Sequence, residues 1–298
     1  MSSSLVSALR SIAIGVLDLA QAEHFYATTW HLSVAARTDD SVYLRGTGAS
    51  HHILALHRSD VPDVRFVTFQ VASSHDLDAI QAAIPLHGGT IVKEKSAVTE
   101  PGGGISVVAR DPQGRILHFV FGDEYHADTG DREDRPIRIT HTVFNSTDVS
   151  IAQTFYENAL GFKLSDRTRI MAFMRCRNDH HSIALADAQE NSLNHIAFVM
   201  PDLDSVMRGG GRMRDAGYPI EWGVGRHGPG DNAFAYFIGP SGFVIEYTAD
   251  ILQVDDSYIV GGPDDWKWPP GRVDQWGISP PPSDNIKQAQ KRIRFIAL

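Results

Sequence analysis

The 298-residue chain predicts an α+β fold made of two similar βαβββ modules. Two observations support this. Three stretches of the first half recur in the same order in the second half, and each half alternates β-branched strands with amphipathic helices. Both halves also close on a Pro-x-Gly turn that feeds a last apolar strand.

Each half begins with a strand and a helix. Asp18-Leu-Ala-Gln-Ala-Glu-His-Phe25-Tyr26 matches Asp148-Val-Ser-Ile-Ala-Gln-Thr-Phe155-Tyr156, an acidic helix start followed by an aromatic pair on the apolar face. Several strands intervene before the next match, Arg65-Phe-Val-Thr-Phe69-Gln-Val with Asn194-His-Ile-Ala-Phe198-Val-Met. Each of these strands leads into a polar, Asp-containing helix that ends near Gly88-Gly89 or Gly217. Last, Asp111-Pro112-Gln-Gly114-Arg-Ile-Leu-His118-Phe matches Gly239-Pro240-Ser-Gly242-Phe-Val-Ile-Glu246-Tyr. The expected organisation is an N-terminal module over 1–130 and a C-terminal module over 136–255, with the polar run 123–135 as the linker. A Pro- and Trp-rich tail over 256–298 follows, whose Trp266, Trp268 and Trp276 are expected to pack it onto the body or onto a neighbouring subunit.

Composition narrows the function. At 42% hydrophobic and 21% charged residues, the chain reads as a globular protein with full cores. A net charge of −9 argues against a nucleic-acid partner, and the one notable basic cluster, Lys287 to Arg294, reads as a solvated helix face. The single Cys176 excludes an internal disulfide framework and a multi-cysteine zinc site. Asp18 interrupts the short apolar run after Arg10, and no run approaches the ~20 residues of a membrane span, so a cytoplasmic protein with no membrane partner is expected.

His141, His195 and Glu246 each interrupt an apolar strand: Ile-Thr-His141-Thr-Val-Phe, Asn-His195-Ile-Ala-Phe-Val and Phe-Val-Ile-Glu246-Tyr. Two imidazoles and a carboxylate can close one face of a divalent metal ion and leave the other face open. A carboxylate buried in such a strand needs a cation or hydrogen bonds to offset its desolvation. In the first half the aligned positions hold Ser11, Phe66 and His118, so a metal triad is expected only in the second copy.

These features resemble the two-domain type I extradiol ring-cleavage dioxygenases of the vicinal-oxygen-chelate superfamily. The resemblance spans residues ~8 to 250 by module order. It is sharpest at Gly225-Arg226-His227, Tyr236 and Pro240-Ser-Gly242-Phe-Val-Ile-Glu246. It implies modules folded as barrel-like, half-closed sheets and a site that holds Fe(II), with Mn(II) tolerated by the same ligands. A catecholic substrate and O2 would be the partners, and a homo-oligomer is expected. In Asn178-Asp-His180-His181 the second histidine falls at the family's acid/base position, with an expected pKa near neutrality. His180 should then point to the opposite face. By the same resemblance His227 and Tyr236 orient the substrate, and Val143 and Phe173 line its ring pocket. Departures from the family pattern at Ala235, at Gly239 and over 228–232 bear on the substrate more than on the reaction. Two further functions use the same fold: a metal-dependent isomerase or lyase of the glyoxalase I type, and a metal-free ligand-sequestering protein.

Overall fold

Two twisted sheets, one per repeat, organise the computed structural model, which describes residues 4–130, 132 and 134–296. The linker residues 131 and 133, the first three residues of the N-terminal module and the last two of the tail lie outside the described residues. The first repeat runs β1 (Ala8–Val16), α1 (Leu19–His24), β2 (Ser33–Arg37), β3 (Ser41–Arg45), β4 (Leu54–Arg58), β5 (Asp63–Gln70), α2 (Ser74–Leu86), β6 (Thr90–Ala97), β7 (Ile105–Arg110) and β8 (Ile116–Phe121). The second repeats that order with β9 (Arg138–Ser146), α3 (Val149–Leu160), β10 (Lys163–Arg167), β11 (Met171–Arg175), β12 (Ile183–Asp187), β13 (Ser192–Val199), α4 (Leu203–Asp215), β14 (Trp222–Arg226), β15 (Ala233–Ile238) and β16 (Val244–Ala249). A strand order of β2-β3-β4-β1-β5-β8-β7-β6 in the first sheet returns as β10-β11-β12-β9-β13-β16-β15-β14 in the second. Among the described residues no ladder joins the edge strands of either sheet, so each half-barrel stays open.

Local chemistry explains the helix starts. Asp18, Ser73, Asp148 and Asp202 each accept a hydrogen bond from the backbone N–H three residues on, satisfying donors that the first helical turn leaves unpaired. The repeats differ where their first helices end. α3 runs on to Gly161, which takes the left-handed conformation (φ 75°) that a glycine adopts without penalty. α1 widens after His24 into a π-turn over Phe25–Thr29, where the Thr28 hydroxyl donates to the His24 carbonyl at 2.6 Å and competes with the regular ladder.

The two halves share one apolar core. Trp30, fully buried at the end of that π-turn, stacks on Tyr247 of β16 at 3.6 Å between ring centroids, and the Tyr247 hydroxyl donates to the Trp30 carbonyl. From the Pro112–Gly114 turn, Arg115 pairs with Asp111 at 2.7 Å and donates to the Asn145 carbonyl in β9 at 2.9 Å. Truncating Trp30 to Ala is expected to destabilise the whole chain by about 3–5 kcal/mol, since the stacked ring leaves a cavity that neither half fills. Urea unfolding followed by circular dichroism measures it, and a loss below about 1 kcal/mol would show that the halves are not coupled through this ring.

Two expectations change. The linker does not begin at Asp123, because that side chain is buried and pairs with Arg10 of β1 at 2.9 Å. Nor is the basic stretch near the end simply a solvated helix face. Lys287 is exposed on α5 (Asp284–Ala289), but the chain then turns inward to form β17 (Arg294–Phe295), which adds a parallel strand beside β5 of the first sheet. The tail thus packs on the body and ties the second half back to the first.

Candidate metal centre

The three central strands of the second sheet bring the triad together. β13 lies between β9 and β16, and Ala197 on it is paired with His141 on one side and Glu246 on the other. His195 stands two residues before Ala197 and so shares its face of the pleat. All three side chains therefore project to one side of the sheet, over an alanine small enough to leave room between them. Their ligand atoms fall within 4.8 Å of one another, and all three residues are buried.

Glu246 Oε2 lies 3.3 Å from His141 Nε2 and 3.2 Å from His195 Nε2. The Asn194 Oδ1 is 2.8 Å from His195 Nδ1 and can only accept, so that ring carries its proton on Nδ1 and turns a lone pair from Nε2 toward the carboxylate. Burial would raise the Glu246 carboxyl, whereas His141 and His195 hold it below the usual carboxylate range if they face it with N–H groups or positive charge, a role that falls to a bound cation where they face it with lone pairs. Burial pushes the His195 imidazole down, leaving a neutral ring beside a carboxylate. Two acceptors at that distance repel unless a cation lies between them, and Glu246 Oε2 has no hydrogen-bond partner. Ligand atoms set ~2.1 Å from a divalent ion at right angles lie ~3 Å apart, which matches the observed spacings. The residues fit a metal ion, and they form a His/His/Glu metal site with the open face typical of non-haem iron centres.

Around this site stand the other residues singled out in the sequence. The His181 ring lies 4.2 Å from that of His141 and is buried. Burial, reinforced by the neighbouring His141, pushes its pKa well below the usual imidazole value, so the expected near-neutral poise is not found and the resting ring is neutral. Tyr236 places its hydroxyl 2.9 Å from His227 Nε2 and 3.5 Å from His195 Nε2. Burial raises the phenol well above its ordinary pKa, and Glu246 adds to the effect, so it stays a proton donor. Burial lowers His227 to about 4, which keeps it neutral as well. His180 turns the other way, its Nε2 going 2.8 Å to Asp166.

The open face looks into a cavity of about 1160 Å³. Val143 and Phe173 line it next to His181, where they form a small apolar cluster with Ala184 and Ala186 on the inner face of the sheet. Trp222, Trp266 and Trp268 line it as well, as do Lys291 and Arg294. Two tail tryptophans expected only to pack thus belong to the cavity wall. Nothing in the periodicity of the tail could have shown this, since it depends on where the tail crosses. Asn232 was also missed: fully buried, it donates to Thr248 Oγ1 at 2.8 Å and approaches Glu246 Oε1 at 3.4 Å. An Asn beside the Gly-rich turn after His227 reads as an ordinary turn residue.

The first copy shows what the same strands do without a metal. Ser11, Thr68 and His118 occupy the row that His141, Ala197 and Glu246 occupy in the second. The Phe66 ring stacks on His118 at 3.8 Å and fills the space. Beside them the Arg10 guanidinium donates to Ser11 Oγ at 2.9 Å, meets His52 Nε2 at 2.6 Å and pairs with Asp123.

A duplicated βαβββ scaffold with one facial metal triad in its later half defines a class of small-molecule metalloproteins. Residues 138–247 match the family described as the Glyoxalase/Bleomycin resistance protein/Dioxygenase superfamily. Among solved structures, the Mn(II)-bound glyoxalase from Novosphingobium aromaticivorans superposes with a TM-score of 0.87 at 32% identity, over 95% of this chain and 94% of that one. The chain belongs to that superfamily. Among characterised relatives, Metapyrocatechase 2 of Cupriavidus necator is 29% identical over 93% of this chain and 90% of its own. Biphenyl-2,3-diol 1,2-dioxygenase of Sphingomonas paucimobilis is 26% identical over 70% of this chain and 76% of its own. Among the described residues no helix is long and apolar enough to cross a membrane.

Proposed function

We propose that this chain is an extradiol dioxygenase that opens the ring of a catechol with O2, using Fe(II) held by His141, His195 and Glu246. One observation supports this reading above the others: the triad closes a single face, and the open face gives onto a roomy cavity with an aromatic wall. The relatives named for catechol and biphenyl-diol cleavage point the same way. In the overall reaction the ring bond between a hydroxylated carbon and its unhydroxylated neighbour breaks, and both atoms of O2 enter the product. The Fe(II) ion would supply a Lewis acid for the diol oxygens and a relay through which the catechol itself gives electrons to dioxygen.

The protein contributes orientation and proton handling. Val143 and Phe173 pack the flat ring, and Tyr236 donates a hydrogen bond to a substrate oxygen as its charge changes, with His227 holding the phenol in place. His181 takes a proton from a substrate hydroxyl on binding and gives it back to the reacting oxygen, which stays in the site and ends in the product. The first module, which has no comparable triad among the described residues, serves as a structural partner that completes the shared core.

The relative named as a Mn(II)-bound glyoxalase keeps a second reading alive, that of a metal-dependent isomerase. Such a site draws ligands from two modules, and here Ser11 and Phe66 have no metal-binding group to offer. One experiment separates the two. Fe(II)-loaded protein is mixed anaerobically with a panel of catechols and air is then admitted; a yellow ring-fission product formed with one O2 consumed per catechol is expected. Absence of oxygen uptake with every catechol, together with conversion of an α-ketoaldehyde thiol adduct in the Mn(II) form, would establish the isomerase instead.

A further inference from the structure

Behind His181 runs a buried chain of hydrogen bonds that the proposed reaction does not yet use. Asp166 on β10 is fully buried, and so is His180. Asp166 Oδ2 lies 2.8 Å from His180 Nε2, and His180 Nδ1 lies 3.1 Å from His181 Nδ1. The other oxygen of Asp166, Oδ1, accepts the Gly261 N–H at 2.8 Å, and the Tyr258 hydroxyl reaches both oxygens at 3.3 Å. Gly261 and Tyr258 both belong to the tail.

We propose that Asp166 and His180 are positioning residues that fix the tautomer of His181, with its proton on Nδ1 and a bare Nε2 turned to the substrate cavity. A carboxylate can only accept, so His180 Nε2 holds the proton of the first bond. In a neutral His180 ring Nδ1 is then an acceptor, and the donor that faces it among the described residues is His181 Nδ1–H. Neutral His181 has one ring proton, so its Nε2 is left as the base. The tail takes part, because the Gly261 amide pins Oδ1 and leaves Oδ2 for His180.

The first copy supports the direction independently. His51 and His52 keep the same Nδ1 to Nδ1 contact at 2.9 Å, although their sheet has no triad. There the Arg10 guanidinium, a pure donor, meets His52 Nε2 at 2.6 Å, so His52 Nε2 accepts and its proton sits on Nδ1. The pair thus adopts one polarity in the copy where a neighbouring donor dictates it, and the second copy repeats the geometry with Asp166 as the anchor.

The tautomer follows from these contacts between neutral rings, whereas its catalytic consequence rests on the ring-cleavage reading. Asp166→Asn tests both. Gly261 holds the amide oxygen of the new residue, its NH2 faces His180 Nε2, and the polarity of the chain reverses, moving the His181 proton to Nε2. Heteronuclear NMR of the histidine ring nitrogens in full-length, zinc-loaded protein is expected to find the His181 proton on Nδ1 in the wild type and on Nε2 in the Asp166→Asn variant. With Fe(II) and a catechol, kcat of that variant should fall about 10²-fold, while KM changes by less than about threefold. His180→Gln, whose amide can donate to Asp166 and accept from His181, should keep the wild-type tautomer in the same spectrum. A wild-type proton on Nε2, or an unchanged tautomer in Asp166→Asn, overturns the proposal. If both tautomers are as expected but no catechol is cleaved, the positioning role stands and the dioxygenase reading falls.

Discussion

Glu246→Gln is expected to lower metal affinity by more than about 10²-fold, so that the purified variant holds almost no metal. Gln keeps the volume and a carbonyl ligand but removes the one negative charge that faces His141 and His195, and a neutral site has little pull on a divalent ion. Elemental analysis measures the loss. A second readout separates lost binding from a damaged fold. In the wild type a chelator should remove about 4 kcal/mol of stability if free metal stands near 1,000 times its Kd, because the ion binds only the folded chain. In Glu246→Gln the chelator should have no effect. Without metal the variant should be at least as stable as the wild type, since the buried charge with an orphaned Oε2 is gone. Normal metal content in the variant would remove Glu246 from the ligand set.

His181→Gln should behave differently. Metal content and catechol binding should survive, because His181 lies beside the ligand set and is not part of it. Turnover should fall about 10²–10⁴-fold, the usual contribution of a positioned acid or base. Stopped-flow absorbance that resolves catechol binding from product formation provides the measurement. Binding at the wild-type rate followed by slow product formation is expected. Turnover at the wild-type rate would show that the proton moves by another route.

Much of this architecture can be read along the chain because it is written twice. The Asp18 and Asp148 caps, the Phe-Tyr pairs and the Pro-x-Gly turns are local signals, each determined by a few neighbouring residues, and they locate the elements in both repeats. The triad was legible by contrast, since Ser11 and Phe66 stand where His141 and His195 stand. What escaped notice depends on contacts between distant segments. Asp166 sits in Lys-Leu-Ser-Asp-Arg, a mostly polar segment with no local sign of burial, and Gly261 and Tyr258 cover it from nearly a hundred residues away. The low pKa of His181 has a similar origin. Its own segment places it in the bend just before β12, but of the rings that surround it only His180 is local; the others come from β9, β11, β13 and the turn after β14.

Arg10 gives the first sheet a cation that no chelator can extract, because it is bonded to the backbone. A divalent ion bound by the second sheet can be lost to a competing ligand, whereas Arg10 in the twin persists for the lifetime of the polypeptide. Demetallation therefore empties one half while the other, joined to it through Trp30 and Arg115, remains a rigid mould. Recovery after such a loss should be a matter of recharging a standing vessel rather than refolding a collapsed one.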